Sequence, residues 1–342
     1  MRKMMKTLFV SIASLSLMFS VSNAGELSVS GTAKATYHIT NGSQADNTIG
    51  ITNEMNFKAS GEMDNGYAWS YDVALDPDTT DGSALNDDAS ITITMNDLGT
   101  AKICVLACGN GKEYAFDQSA YTSMSDTGLS EGITYPTSGS SYATLQYFTP
   151  ELPFGTTASF EIGQQSTAGQ SGNATNTTNG NSMEGYSLVS KPIDGLTLSA
   201  YYMSVNDYDD GTTSEDQFED GGAYGIEYAF GNFTAGYGKS FKSPETSGIT
   251  AGGTTVEYYE NTGLSIGFAV NDQLSISWTE ETGEKIFQTT STASTDIEMT
   301  SYQAAYALGG ATLSIARADY DNISHVDGDD ATDTIIALNF AF

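Results

Sequence analysis

The chain has 342 residues, with 12 Lys/Arg against 43 Asp/Glu and only 16% charged residues in all. A net charge of −31 repels phosphate backbones and excludes nucleic-acid binding, while attracting cations. The low charged fraction, against about a quarter in soluble proteins, is unlike an ordinary soluble surface, and 36 Gly with 20 Tyr and 15 Phe points toward strands and turns.

Residues 1–24 read as a signal peptide. "MRKMMK" is a basic n-region, "TLFVSIASLSLMFSV" an apolar h-region, and Ser22 and Ala24 a small-x-small cleavage site. The apolar run falls short of the ~20 residues a membrane-spanning helix needs. Export leaves 342 − 24 = 318 residues, carrying 9 − 43 = −34 charges. No later stretch is long and apolar enough for a helical span. A membrane protein without such helices must be a closed β-barrel, the other architecture that satisfies every backbone group in lipid.

Period-2 alternation then dominates. "GYAWSYDVALD" places Tyr67, Trp69, Tyr71, Val73 and Leu75 on one face. "ASITITMN", "GLTLSAYYM" and "QLSISWTE" repeat the pattern, and the only helix-like stretch expected is a turn or two within 109–141. Short connections at 64–65, 96–99, 150–154, 192–194, 231–232, 271–273 and 309–310 alternate with long polar ones. The long ones fall near 40–48, 77–88, 109–141, 166–181, 206–220, 242–253, 283–296 and 321–331. Fifteen connections join sixteen antiparallel strands, and all six prolines fall in connections. Short turns on one side, long loops on the other and an even strand number predict an all-β transmembrane barrel over 25–342. A secreted β-sandwich would need neither the alternation of loop lengths nor a final strand that stops on Phe342.

Strand parity sorts the wall. In the first strand Leu27, Val29, Ala33, Ala35 and Tyr37 face lipid, so Lys34, Thr36 and His38 face the lumen. In the second, Ile49, Ile51, Met55 and Phe57 face out, so Glu54 and Lys58 face in. In the fifth, Ile103 and Val105 face out and Lys102 faces in. Arg317 conflicts with its strand, sharing parity with Leu313 and Ile315; a bulge or a rim position would resolve this. Residues 109–141 are the one connection long enough to reach the middle of a pore. They carry Glu113, Asp117, Asp126 and Glu131, with Lys112. The three wall lysines are expected to form a basic wall opposite these carboxylates, with a mild cation preference because acids outnumber bases.

Three further features bear on sites. The carboxylate-dense loops 76–88, 206–221 and 325–333 offer hard-cation oxygens, among them Asp78, Asp209, Asp210, Asp327 and Asp329. Loosely bound Ca²⁺ is one reading and diffusely solvated acids the other, since no EF-hand spacing fits. Cys104 and Cys108, four positions apart, are ~13 Å distant in a straight strand, beyond the ~7 Å a disulfide tolerates. Either the strand ends at Cys104 and a bridge clips the base of the long loop, or both thiols stay reduced; an oxidising compartment favours the bridge. Enzyme chemistry finds no footing. His38 and His325 are the only histidines, and "CGNGKE" lacks the phosphate-loop frame.

Taken together, "GELSVSGTAKATYHI", the sixteen-strand alternation, the single long loop after the fifth strand and the terminal Phe342 resemble Gram-negative outer-membrane general-diffusion porins, α-proteobacterial in type. The resemblance implies a homotrimer of water-filled barrels embedded among lipid and lipopolysaccharide, with a third loop folded inward to narrow the pore. It also implies that small hydrophilic solutes pass, and that Phe340 and Phe342 form a C-terminal signal for the barrel-assembly machinery. The aromatic runs "AYY" and "EYY" leave a sugar- or amino-acid-selective channel as one alternative, and a plugged adhesin or surface barrel as another.

Overall fold

The computed structural model describes residues 25–41, 47–75, 88–105, 119, 133–136, 142–165, 182–206, 215–247, 255–288 and 294–342. Residues 1–24 and the remaining loop residues lie outside that set. Among the described residues, eighteen strands run in chain order. They are β1 (Glu26–Asn41), β2 (Asn47–Glu62), β3 (Ala68–Leu75), β4 (Asp88–Thr94), β5 (Thr100–Val105), β6 (Tyr142–Phe148), β7 (Thr156–Gln165), β8 (Ser182–Ser190), β9 (Leu196–Asn206), β10 (Glu215–Gln217), β11 (Asp220–Phe230), β12 (Phe233–Ser243), β13 (Thr246–Ser247), β14 (Val256–Ala269), β15 (Leu274–Phe287), β16 (Ile297–Ala307), β17 (Ala311–Asp321) and β18 (Ala331–Ala341).

Sixteen of them close into one antiparallel barrel, as the alternation of loop lengths predicts. The other two, β10 and β13, are not expected from the sequence pattern. They pair with each other inside two extracellular connections, where the polar composition hides them. Gln217 fixes that corner: its amide donates to the carbonyls of Pro244 (2.6 Å) and Glu257 (3.1 Å) and accepts from Gln288 (2.7 Å). The described helical turns are two 3₁₀ segments, at 96–98 and 323–325.

The ladder closes between the last strand and the first. β18 pairs with β1 from Thr32–Ala341 to Asn41–Thr332, and Phe342 exchanges both backbone hydrogen bonds with Gly31 (2.8 and 3.0 Å). The absence of a Cβ at Gly31 is what lets the Phe342 ring lie over it, since a Cβ there would sit 2.9 Å from the ring. The short turns are tight enough to need glycine too. Gly99 has φ 88°, and a side chain there would collide with the Phe148 carbonyl.

The outer face follows parity throughout. Leu27, Ile49, Ile51, Ile103, Leu145, Phe160, Ile162 and Tyr224 are exposed, with Ile49 at 83%. A water-soluble protein does not leave such a girdle bare; hydrocarbon is the solvent that suits it. At the short-turn end Tyr228, Phe230, Phe233 and Phe268 stack in succession around the wall, at centroid spacings of 5.8, 5.5 and 4.4 Å. Such aromatic belts mark the interface of a membrane. Among the described residues the longest strands are β1 and β2, with 16 residues each, and β14 and β15, with 14 each.

Candidate functional site: a lumen crossed by one loop

The inner wall is polar where it meets the middle of the barrel. Thr144, Gln146, Ser159, Glu161, Ser240, Asn261, Ser265, Ser277, Thr279, Glu281, Ser301 and Gln303 all face inward and are nonetheless buried. Side chains that line a water-filled pore should be wet. The described residues of the β5–β6 connection, Ser119 and 133–136, show what covers some of them.

The Tyr135 hydroxyl donates to Glu281 Oε2 on β15 at 2.7 Å. The Asn261 amide of β14 donates to the Thr134 carbonyl at 2.8 Å and to Ser240 Oγ of β12 at 3.1 Å. Ser119 Oγ lies 3.4 Å from Thr279 Oγ1, again on β15. Ile133 packs on an inward apolar cluster of Met299, Ala318, Tyr320, Ile323 and Ala331 from β16 to β18. The wall gives way to receive the loop: a Cβ on Gly221 would press on Pro136 at 3.1 Å, and one on Gly283 would touch Ile133 at 3.4 Å. Strands β14 and β15 lie half-way round the ring from β5 and β6. The connection therefore leaves one wall and fastens to the opposite one, crossing the lumen.

Electrostatics of this anchor follow from its burial. Glu281 is 1% exposed, and a carboxylate there needs hydrogen-bond donors to offset lost hydration. Tyr135 is one such donor.

The wall lysines Lys34, Lys58 and Lys102 stand on β1, β2 and β5, away from β14 and β15 in the ring. Lys34 sits mid-strand on β1 between Thr52 and Asn339, and Lys102 on β5 between Thr92 and Gln146. Lys58 on β2 pairs with a wall carboxylate, Asp72 of β3, at 3.0 Å. Asp72 also accepts from Ser70 Oγ (2.9 Å). At the other side Lys242 meets Glu219 at 3.3 Å. His38 hydrogen-bonds Asp333 across the β1–β18 seam, with Asp333 1% exposed. The candidates Glu113, Asp117, Asp126 and Glu131, with Lys112, lie outside the described residues.

Other sequence candidates resolve variously. Cys104 is disulfide-bonded, on a β5 that continues one residue past it to Val105. The chain's other cysteine, Cys108, lies outside the described residues, as do Asp78, Asp209 and Asp210. Asp327 and Asp329 are described. They belong to a turn closed by the Asn322 side chain and by Ile323 N donating to the Asp329 carbonyl (2.7 Å), and no metal-holding group of acids occurs among the described residues. Arg317 keeps the outward parity of Leu313 and Ile315 with no bulge in its register. Its guanidinium instead grips Asp319 through two hydrogen bonds, 3.1 and 2.6 Å. Asp319 also accepts from Thr332 (2.8 Å).

Sequence parity misses Tyr135, Asn261, Thr279 and Glu281. Their one visible trace is polar side chains on the inward parity of β14 and β15, where an inward glutamate reads as ordinary pore lining.

Comparison with known proteins decides the fold. No protein-family model matches the chain, and no curated protein gives a significant match. Solved structures do. A porin refined at 1.8 Å superposes with a TM-score of 0.65 at 15% identity, over 93% of this chain and all of that one. OmpF of Salmonella typhi, in complex with daunomycin, gives 0.65 at 14% identity over 93% of this chain and 98% of its own. An anion-selective porin from Comamonas acidovorans gives 0.63 at 12% over 93% and 100%.

The chain has the porin fold.

Within that fold, identities of 12–15% are too low to carry residue roles across. One of these neighbours is an anion-selective porin, so likeness of fold carries no cation preference to this chain. The charges must be argued from this chain.

Proposed function

We propose that this protein is a passive pore of the outer membrane, passing ions and small hydrophilic solutes with a mild preference for cations. The observation that carries the reading is the loop across the lumen, held by Tyr135 on Glu281 and by Asn261 on Thr134. A barrel that served only as a surface scaffold gains nothing from one strap fastened at mid-lumen; a pore gains a constriction whose width and charge set its selectivity. The cation preference rests on two things. Acids outnumber bases in the exported chain by 43 to 9, and the wall lysines Lys58 and Lys242 are each matched by a carboxylate that cancels their attraction for anions. Assembly as a homotrimer, contact with lipopolysaccharide and recognition of Phe340 and Phe342 by the barrel-assembly machinery belong to the same reading, on the strength of the fold and the apolar, Phe-terminated last strand.

Planar-bilayer recordings in a salt gradient test the selectivity. The reversal potential should take the sign of cation preference and grow as ionic strength falls, because charge screening weakens. A reversal potential of anion-selective sign overturns the preference, and liposomes that stay impermeable to small sugars and amino acids overturn the pore.

A further inference from the structure

At the short-turn end the lumen face of β6–β8 is hollowed. Phe148, Ser159 and Ser187 pair across the three strands on the inward parity, and Val189 follows two residues on along β8. With Glu151 of the β6–β7 turn and Lys191 just past β8, they line a pocket of about 420 Å³. That lies inside the range of roughly 300–1,000 Å³ typical of small-molecule sites.

The turn builds the lip of this pocket. Phe154 and Gly155 both take left-handed backbone angles, φ 67° and 58°, and the first is uncommon for an aromatic residue. Two hydrogen bonds hold the turn against the end of β8. Ser190 Oγ donates to the Phe154 carbonyl (3.2 Å), and Lys191 N donates to the Gly155 carbonyl (3.1 Å). A Cβ on Gly155 would press on the Lys191 carbonyl at 3.0 Å, so glycine is what allows the approach. A backbone held outside its preferred region by its surroundings marks a place where position matters. Here the result is that Glu151 and Lys191, from two different connections, stand at one pocket.

The lining is graded. Phe148 and Val189 offer apolar surface. Ser159, 6% exposed, and Ser187 share a hydrogen bond of 2.5 Å on the inner face. At the rim stand one carboxylate and one ammonium. Both residues are exposed, and among the described residues neither takes part in an ion pair. Lys58 and Lys242 are matched by wall carboxylates; Lys191 is open to the carboxylate of a solute, and Glu151 to its ammonium. A neutral sugar uses neither charge, and an inorganic ion of either sign meets a like charge beside its partner.

We propose that this pocket is a resting site for zwitterionic solutes, amino acids or short peptides with an apolar side chain, at the short-turn mouth of the pore. The ammonium meets Glu151, the carboxylate meets Lys191, and the side chain lies on Phe148 and Val189. Exposed ion pairs contribute little each, so the solute is held weakly enough to leave again. The assignment deepens the pore reading above and rests on it for entry of the solute from the lumen.

Saturation-transfer NMR on the full chain in detergent micelles, with micelles alone as blank, detects weak binding without requiring conduction. Leucine should receive saturation at its methyl protons. Isocaproate and isoamylamine keep its carbon skeleton but lose the ammonium and the carboxylate respectively. Each should bind roughly two- to five-fold more weakly, the range set by one exposed ion pair. K191Q should weaken leucine by the same factor and leave isoamylamine unchanged, and E151Q should weaken leucine and leave isocaproate unchanged. Both side chains are exposed beyond the ladder, so neither change threatens the barrel. Leucine binding that survives intact in both variants overturns the site. Equal binding of the three compounds, or displacement of leucine by an equal concentration of glucose, overturns the zwitterion. The same preparations are placed in planar bilayers. A protein that conducts but gives no leucine signal keeps the pore and loses the site; one that binds leucine and does not conduct keeps the site and loses the pore.

Discussion

Tyr135→Phe isolates the loop anchor by deleting one oxygen. The ring keeps its volume; what disappears is the 2.7 Å bond to Glu281, whose side chain is sealed from solvent at 1% exposure. A hydrogen bond to a charged group is worth about 1.5–3 kcal/mol, and a buried acceptor deprived of its donor sits at the costly end of that range. The equilibrium between fastened and released loop then shifts by roughly 10- to 150-fold toward release. Single-channel recording in planar bilayers reads that population directly. The Tyr135→Phe pore should show brief excursions to a second conductance level and higher open-channel noise, while barrel stability in detergent hardly changes, because the ladder is untouched. Asn261→Ala removes the other tie, to the Thr134 carbonyl, and should act in the same direction. Combined, the two should exceed the sum of their separate effects, since each tie holds the loop in place for the other. If both variants and the double variant give wild-type conductance and noise, these bonds do not hold the constriction, and the argument from buried polar groups fails.

Further outcomes are expected. Under non-reducing conditions the purified protein should take up no alkylating reagent at cysteine and two equivalents after reduction and unfolding, since Cys104 is bonded and only one other cysteine exists; two free thiols by mass spectrometry would contradict this. Deleting Phe342 should leave export intact but lower the fraction of heat-modifiable, folded barrel on gels, because both Gly31 hydrogen bonds and the ring over Gly31 go with it; normal folded yield would remove the terminus from the assembly argument. Burial lowers the proton affinity of His325, opposed by its bond to the Thr295 carbonyl, with Lys285 adding to the lowering and Asp296 opposing it. A depressed histidine costs nothing above its unfolded value of ~6.5, and the native loop loses stability as pH falls below that, because the unfolded segment takes up the proton first. The protection of amides 322–330, their exchange rates taken relative to the intrinsic rates at each pH, should therefore fall between pH 7 and pH 5, and H325Q should abolish that dependence.

The barrel is legible because one period governs it. Every wall residue is forced by hydrogen bonding into an extended ladder, and alternate side chains must meet two different solvents. Lys34, Thr36 and His38 are assigned to the lumen from the outward parity of Leu27, Val29, Ala33, Ala35 and Tyr37. The seam is equally readable: a strand ending in Leu338, Phe340 and Phe342 has no acceptable environment except lipid on its face and β1 on its edge. The same rule misleads where the outer solvent is not hydrocarbon. Arg317 looks like a parity error, to be resolved by a bulge or by a rim position, under the assumption that the outer face is apolar from end to end; its register has no bulge. It obeys parity, and the assumption is what fails, since Asp319 and Thr332 stand beside it on the same face.

The constriction is legible only as a length. A connection of some thirty residues can reach the middle of a pore, but nothing in its sequence says which wall it reaches. That choice is made by the far strands. Gly283 supplies a hollow for Ile133, Gly221 one for Pro136, and Asn261 turns its amide to a loop carbonyl as well as to a neighbouring strand. None of these positions differs in type from dozens of other glycines and polar residues that satisfy the alternation. Their meaning comes from contacts across more than a hundred residues of chain, between Tyr135 and Glu281 above all, and such contacts leave no local pattern. A glycine at an inward parity position, flanked on the same face by a buried acid two residues before it, as Gly283 is by Glu281, is the nearest thing to a signature. Placing alanine at Gly283 should then act like Tyr135→Phe, because the added methyl meets the two side chains of the loop anchor, Asn261 at 3.3 Å and Ile133 at 3.4 Å.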